Sequence, residues 1–121
     1  MQPLNITTIV GARPQFIKAA VVSRAIASLG LPIKESIVHT GQHYDDDMSQ
    51  VFFDQMGIPE PTDRLGIGGL SHGAMTGRML EKIEALFLEK RPHVVLVYGD
   101  TNSTLAGALA ASKLLIPVAH V

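Results

Sequence analysis

Val94-Val95-Leu96-Val97-Tyr98-Gly99-Asp100-Thr101-Asn102 is an apolar run that stops at a glycine and passes into an aspartate and two helix-capping residues. Five apolar residues without alternation suit a short strand covered on both faces, as in a parallel sheet. Thr101 or Asn102 can then open a helix, because their side chains accept from the free N–H groups of a first turn. The same arrangement occurs twice earlier. Ile6 to Val10 runs into Gly11-Ala12-Arg13-Pro14, and Ile33 to Val38 leads to Thr40-Gly41-Gln42-His43-Tyr44. Strands alternating with helices pair in parallel, and such sheets bind ligands outside the carboxyl ends of their strands. Arg13, Gln42, His43 and Asp100 are therefore expected along one crevice.

The segments between these turns read as helices. Pro14 suits a helix start, where its missing N–H costs nothing. That helix is expected to reach about Leu29, with Ala19, Val22, Ile26 and Leu29 as its apolar stripe and Gly30 and Pro32 ending it. Asp45, Asp46 and Asp47 can cap a second helix that packs Val51, Phe52 and Met56 inward and ends at Gly57 and Pro59. Pro59 to Leu70 reads as a long irregular connection. Ser71 opens a helix to about Lys90, with Met79, Leu80, Ile83 and Phe87 at helical spacing. An Ala-rich helix follows Asp100 as far as Lys113, its small residues letting it lie close to the sheet. Ile116-Pro117 then leads into a last strand, Val118 to Val121. The order predicts an α/β domain: a Rossmann-like parallel sheet with helices on both faces.

Composition narrows the function classes. The chain has 121 residues, 46% of them hydrophobic, enough for one domain with a modest core. A net charge of −1 offers no general attraction to nucleic acid or to an anionic membrane, so any phosphate must be gripped locally. The absence of cysteine excludes disulfides, thiolate metal sites and a cysteine nucleophile. Met1 to Asn5 lacks a secretory pattern, and no apolar run approaches the roughly 20 residues of a membrane helix. A cytoplasmic protein is expected, with neither nucleic acid nor membrane as partner.

Each local motif carries a bland reading beside a functional one. Gly66-Ile67-Gly68-Gly69-Leu70-Ser71 approaches a dinucleotide fingerprint, but Ser71 stands where the third glycine belongs and no clear strand precedes it. A flexible connection is the simpler reading. Arg13 and Lys18 bracket a helix start, a suitable phosphate or carboxylate site, or they are ordinary surface charges. Gln42-His43 is a catalytic or binding turn, or a hydrogen-bonded structural one. His39, His72, His93 and His120 have no metal-ligand spacing, and Asp45 to Asp47 lack an EF-hand pattern, so no metal site is expected. Asp100 is either a helix cap or a carboxylate available for acid and base work.

Together these residues carry a family resemblance. Val10-Gly11-Ala12-Arg13-Pro14-Gln15-Phe16-Ile17-Lys18 resembles the opening Gly-Thr/Ala-Arg-Pro-x-x-Ile-Lys segment of non-hydrolysing UDP-N-acetylglucosamine 2-epimerases. Thr40-Gly41-Gln42-His43-Tyr44 resembles their Thr-x-Gln-His turn, and Val97 to Thr104 their Val-x-Gly-Asp-Thr-x-(Ser/Thr)-Thr segment. Ile116 to Val121 resembles the strand before their Glu-Ala-Gly-Leu-Arg motif. The match covers essentially the whole chain, in order.

The resemblance implies the amino-terminal domain, residues 1–121, of a two-domain glycosyltransferase-B-like isomerase whose second domain is absent here. Such enzymes interconvert UDP-GlcNAc and UDP-ManNAc by eliminating UDP to a 2-acetamidoglucal and adding it back, with no cofactor or metal. Their product feeds bacterial cell-surface polysaccharide. By resemblance Arg13, Lys18 and Asp100 bind substrate and serve catalysis. Gln42, His43 and Arg78 match positions that hold a second, activating UDP-GlcNAc in bacterial members. A homodimer is implied for the full-length enzyme, and the 121-residue chain alone is expected to be inactive. Half of a nucleotide-sugar glycosyltransferase, sharing the two-domain plan, and a stand-alone nucleotide-sugar-binding module are the alternatives.

Overall fold

The structure, a computed structural model, describes residues 3–41 and 61–121, and of Arg13 the backbone alone. The elements in order are β1 (Leu4–Val10), α1 (Arg13–Ser28), β2 (Ile33–His39), β3 (Asp63–Arg64), α2 (His72–Lys90), β4 (Val94–Val97), α3 (Asn102–Lys113) and β5 (Val118–His120). The five strands form one sheet in the order β3-β2-β1-β4-β5, and every pairing is parallel. This is the doubly wound order. The chain reverses its direction of winding between β1 and β4, which opens a crevice at their carboxyl ends.

Register separates the two faces. Ile9 stands beside Val38 and Val97, and with Val95 these side chains meet Met79, Ile83 and Phe87 of α2 and Ala106 and Ala110 of α3. On the opposite face Val10, Ile37, Leu96 and Tyr98 pack against Phe16, Ala19 and Ala20 of α1. The β4 run is thus buried on both sides, as its unbroken apolar sequence requires. α3 lies as close as its small residues allow: a Cβ added at Gly107 would stand 3.0 Å from Ile9 Cγ1 and 3.2 Å from Val97 Cγ1. The helix starts at Ser71 and Thr101 are capped by those side chains, which accept from Ala74 N–H and Thr104 N–H.

Two expectations need correction. The connection from Pro59 to Leu70 contains a strand, β3, which pairs Asp63 with Val38 and Arg64 with His39. It has two residues, both charged, so nothing in its sequence alternates; the edge of β2 makes it a strand. The stripe expected on α1 holds at Ala19 and Val22, which pack on the sheet, and fails at its last residue. Phe16, Ala19, Ala20 and Ser23 are buried, whereas Leu29 is 59% exposed, because the helix ends at Ser28 and Leu29 turns away from the sheet. The helix expected after Asp45 lies outside the described residues.

Candidate functional site

The carboxyl edge of the sheet is tied together by polar side chains. Gln15 is 3% exposed at the third position of α1 and lies between two turns. Its Oε1 accepts from Gly11 N–H at 2.8 Å and from Ala12 N–H at 3.0 Å. Its Nε2 donates to the Tyr98 carbonyl at 2.6 Å and approaches the hydroxyls of Thr101 at 2.8 Å and Thr104 at 3.1 Å. Thr104 also donates to the Tyr98 carbonyl. Gln15 therefore spans the crevice between the β1 and β4 turns. A third turn joins them through Thr40 after β2 and Ser103 of α3, both buried, whose hydroxyl oxygens are 2.8 Å apart.

Asp100 sits at the rim. Gly99, at φ +68°, makes the sharp exit from β4 that an L side chain resists. Thr101 takes the capping role, which leaves the Asp100 carboxylate exposed and, among the described residues, without a hydrogen bond or ion pair. The capping explanation of Asp100 is thus replaced: the cap is its neighbour. Beside it opens a groove of about 350 Å³ lined by Asp100, Thr101, Leu105, Ala108, Val118 and His120 among others. His120 Nε2 donates to the Gly99 carbonyl at 2.6 Å and steadies the turn from the β5 side. The groove lies between β4, α3 and β5 and is walled mainly by apolar side chains, with the Asp100 carboxylate at its mouth.

The other expected residues distribute unevenly. The Arg13 backbone starts α1, one residue beyond the turn that Gln15 holds. Lys18 is exposed on α1 and does not line the Asp100 groove. Gln42 and His43 lie outside the described residues. Arg78 lines a separate cleft of about 220 Å³ with Lys82 and the loop from Leu65 to Leu70. Among the described residues, Arg78 and Asp100 therefore border different cavities.

His39, His72, His93 and His120 all hold structural hydrogen bonds. His39 Nδ1 accepts from Gly41 N–H and His93 Nδ1 from Asn5 N–H, each at 2.9 Å. His72 Nδ1 accepts from Asn102 Nδ2 at 3.0 Å, joining the starts of α2 and α3. Among the described residues no three His, Asp or Glu side chains converge as metal ligands. Gln15 is the residue that sequence reasoning passed over. Its signal was present: a glutamine at the third helical position is placed to reach back to the cap N–H.

The family model described as UDP-N-acetylglucosamine 2-epimerase matches residues 30–121. The chain belongs to the UDP-N-acetylglucosamine 2-epimerase family. It is 63% identical over 118 residues to UDP-2,3-diacetamido-2,3-dideoxy-D-glucuronate 2-epimerase of Pseudomonas aeruginosa, covering 98% of this chain and 33% of that protein. A UDP-N-acetylglucosamine 2-epimerase homolog of Methanococcus maripaludis is 58% identical, with coverage of 98% and 32%. Among solved structures, Methanocaldococcus jannaschii UDP-GlcNAc 2-epimerase in complex with UDP-GlcNAc and UDP superposes with a TM-score of 0.91 at 46% identity, over 98% of this chain and 32% of that one. The chain spans about a third of the length of the relatives it matches. The epimerase family's Rossmann-like half is the fold seen here.

Proposed function

We propose that the complete protein inverts C2 of a UDP-linked 2-acetamido sugar, and that residues 1–121 are the amino-terminal domain of a two-domain enzyme. The carrying observation is the exposed Asp100 carboxylate on the turn after β4, released from capping by Thr101, in a chain of the epimerase family. In the reaction a base removes the C2 proton while the C1–O bond breaks and UDP leaves with the electron pair. The resulting 2-acetamidoglucal takes a proton at C2 on its other face, and UDP returns to C1. Asp100 serves in these proton transfers or in orienting their partners. Arg13 and Lys18 supply positive charge for the leaving diphosphate. A second domain completes the grip on UDP, so the 121-residue chain alone does not turn over.

Two substrates fit the reading. UDP-GlcNAc is bound by the solved relative of 46% identity. The relative of 63% identity is named for a sugar that carries a second acetamido group at C3 and a carboxylate at C6. The higher identity favours that uronate, and the chemistry at C2 is the same for both. Gln42, His43 and Arg78 form the proposed activating site for a second nucleotide sugar, and the homodimer and cytoplasmic location stay within the proposal.

The test is proton NMR of the complete protein in deuterated water with each nucleotide sugar in turn. Inversion with deuterium at C2 supports the reading, and the ratio of kcat/KM values identifies the preferred sugar. A folded protein that leaves both sugars unchanged would overturn it in favour of a transferase or binding module.

A further inference from the structure

Gln15 makes more directed contacts than any helix start requires. A capping glutamine needs one bond to the cap N–H, worth about 1 kcal/mol. Here the amide oxygen takes two N–H groups from the β1 turn, and the amide nitrogen faces a carbonyl and two hydroxyls of the β4 turn. β1 and β4 pair as far as Ile9 and Val97. Beyond that pairing the two turns lead into helices on opposite faces of the sheet, and Gln15 is the side chain that bonds to both. The oxygen and nitrogen ends are not interchangeable: reversing the amide would set its oxygen against the Tyr98 carbonyl and its N–H groups against two N–H donors. The side chain thus reads both turns with one polarity.

Resting on the epimerase reading, we infer that Gln15 is a positioning residue that locks the turn before Arg13 and the turn bearing Asp100 into one geometry. It touches no reacting atom. Its role is the relative placement of the carboxylate and the cationic start of α1, and misplacement by about an ångström at such a site costs around a hundredfold in rate.

Two variants of the complete protein decide the matter. Gln15→Leu removes both ends of the bridge. Gln15→Glu keeps the acceptor for Gly11 and Ala12 but puts an ionised oxygen against the Tyr98 carbonyl. Protonating the new carboxyl restores a donor, so the kcat of Gln15→Glu should recover relative to the parent enzyme as pH falls. At neutral pH kcat should drop about ten- to a hundredfold in both variants, with KM within about threefold. Amide hydrogen exchange supplies a readout independent of activity. In Gln15→Leu, exchange should rise at Gly11 and Ala12 and also at Thr101 and Thr104. In Gln15→Glu above the carboxyl pKa it should rise at Thr101 and Thr104 alone.

Folded variants with kcat within about twofold of the parent, or exchange that changes at one turn only in Gln15→Leu, would overturn the proposal. If Gln15→Leu does not fold, the exchange pattern and pH profile of Gln15→Glu carry the decision. A parent enzyme that inverts neither nucleotide sugar sinks the epimerase reading instead, and the exchange pattern still decides the bridge.

Discussion

The two faces of the sheet share the same strands and are built from different chemistry. Under α2 and α3, Ile9, Val38, Val95 and Val97 meet Met79, Ile83, Phe87 and the alanines of α3, with Gly107 pressed against Ile9 and Val97. Under α1, apolar Val10, Ile37 and Leu96 share the space with Thr8, Ser23, Gln15, His39 and Tyr98, all buried. Glu35 sits among them, accepting from Thr8 Oγ1 and, at 2.6 Å, from Ser23 Oγ. The first face holds the fold by excluding water and filling space, which is non-directional. The second fixes orientation, because each buried polar group is worth little when satisfied and costs more when it is not.

The largest blow to this comparison should come from the apolar face. Phe87 is 1% exposed, and Phe87→Ala is expected to cost about 3–5 kcal/mol in denaturant unfolding of the complete protein. On the α1 face, Glu35→Ala strands the hydroxyls of Thr8 and Ser23 and should cost about 2 kcal/mol. A loss no larger than that of an exposed residue would remove the directional role given to that face. Gly107→Ala sets a gain in helix propensity of about 1 kcal/mol against overpacking of about 1–3 kcal/mol, so a net loss of about 1 kcal/mol is expected. A stabilised variant would mean that Ile9 yields and the close approach is slack.

The smallest effect belongs to Tyr98, and its pH dependence sharpens the contrast. Its ring is fully buried, and its hydroxyl has no hydrogen-bond partner among the described residues. Burial, reinforced by the negative charge of Glu35, pushes the phenol above its ordinary range. The unfolded chain therefore releases this proton first as pH rises. The stability tied to the neutral phenol is complete below about pH 10 and is lost progressively above it. Tyr98→Phe should change stability by less than about 1 kcal/mol at pH 7 and flatten the decline above pH 10. Denaturant midpoints at pH 7 and 10.5 for both proteins check this, and parallel declines would contradict it.

Much of the architecture was legible in the chain because its signals are local. The unbroken Val94 to Tyr98 run, the caps at Ser71 and Thr101, and the helical spacing of Met79, Ile83 and Phe87 each act within a few residues. They sufficed for the alternation of strands and helices, the parallel sheet and the placing of chemistry-bearing turns along one edge. β3 was missed for the opposite reason: Asp63 and Arg64 carry no strand pattern, and their pairing is supplied by Val38 and His39. The α1 stripe was legible at Ala19 and Val22 and failed only at Leu29, which lies past the end of the helix. Periodicity alone leaves the last turn of a helix open.

The candidate site divides the same way. Residue types and turn positions were enough to place Asp100 and the Arg13 backbone at the carboxyl edge of the sheet, where ligand sites lie in parallel sheets. Whether Asp100 caps a helix or stands free depended on which neighbour reached Thr104 N–H, and that is a matter of backbone angles at Gly99 and Thr101. Gln15 meets its partners on the β4 turn 83, 86 and 89 residues along the chain. Local propensity and periodicity can write the strands, the helices and the chemistry of each turn. A hydrogen bond across such a separation exists once β1 and β4 lie side by side.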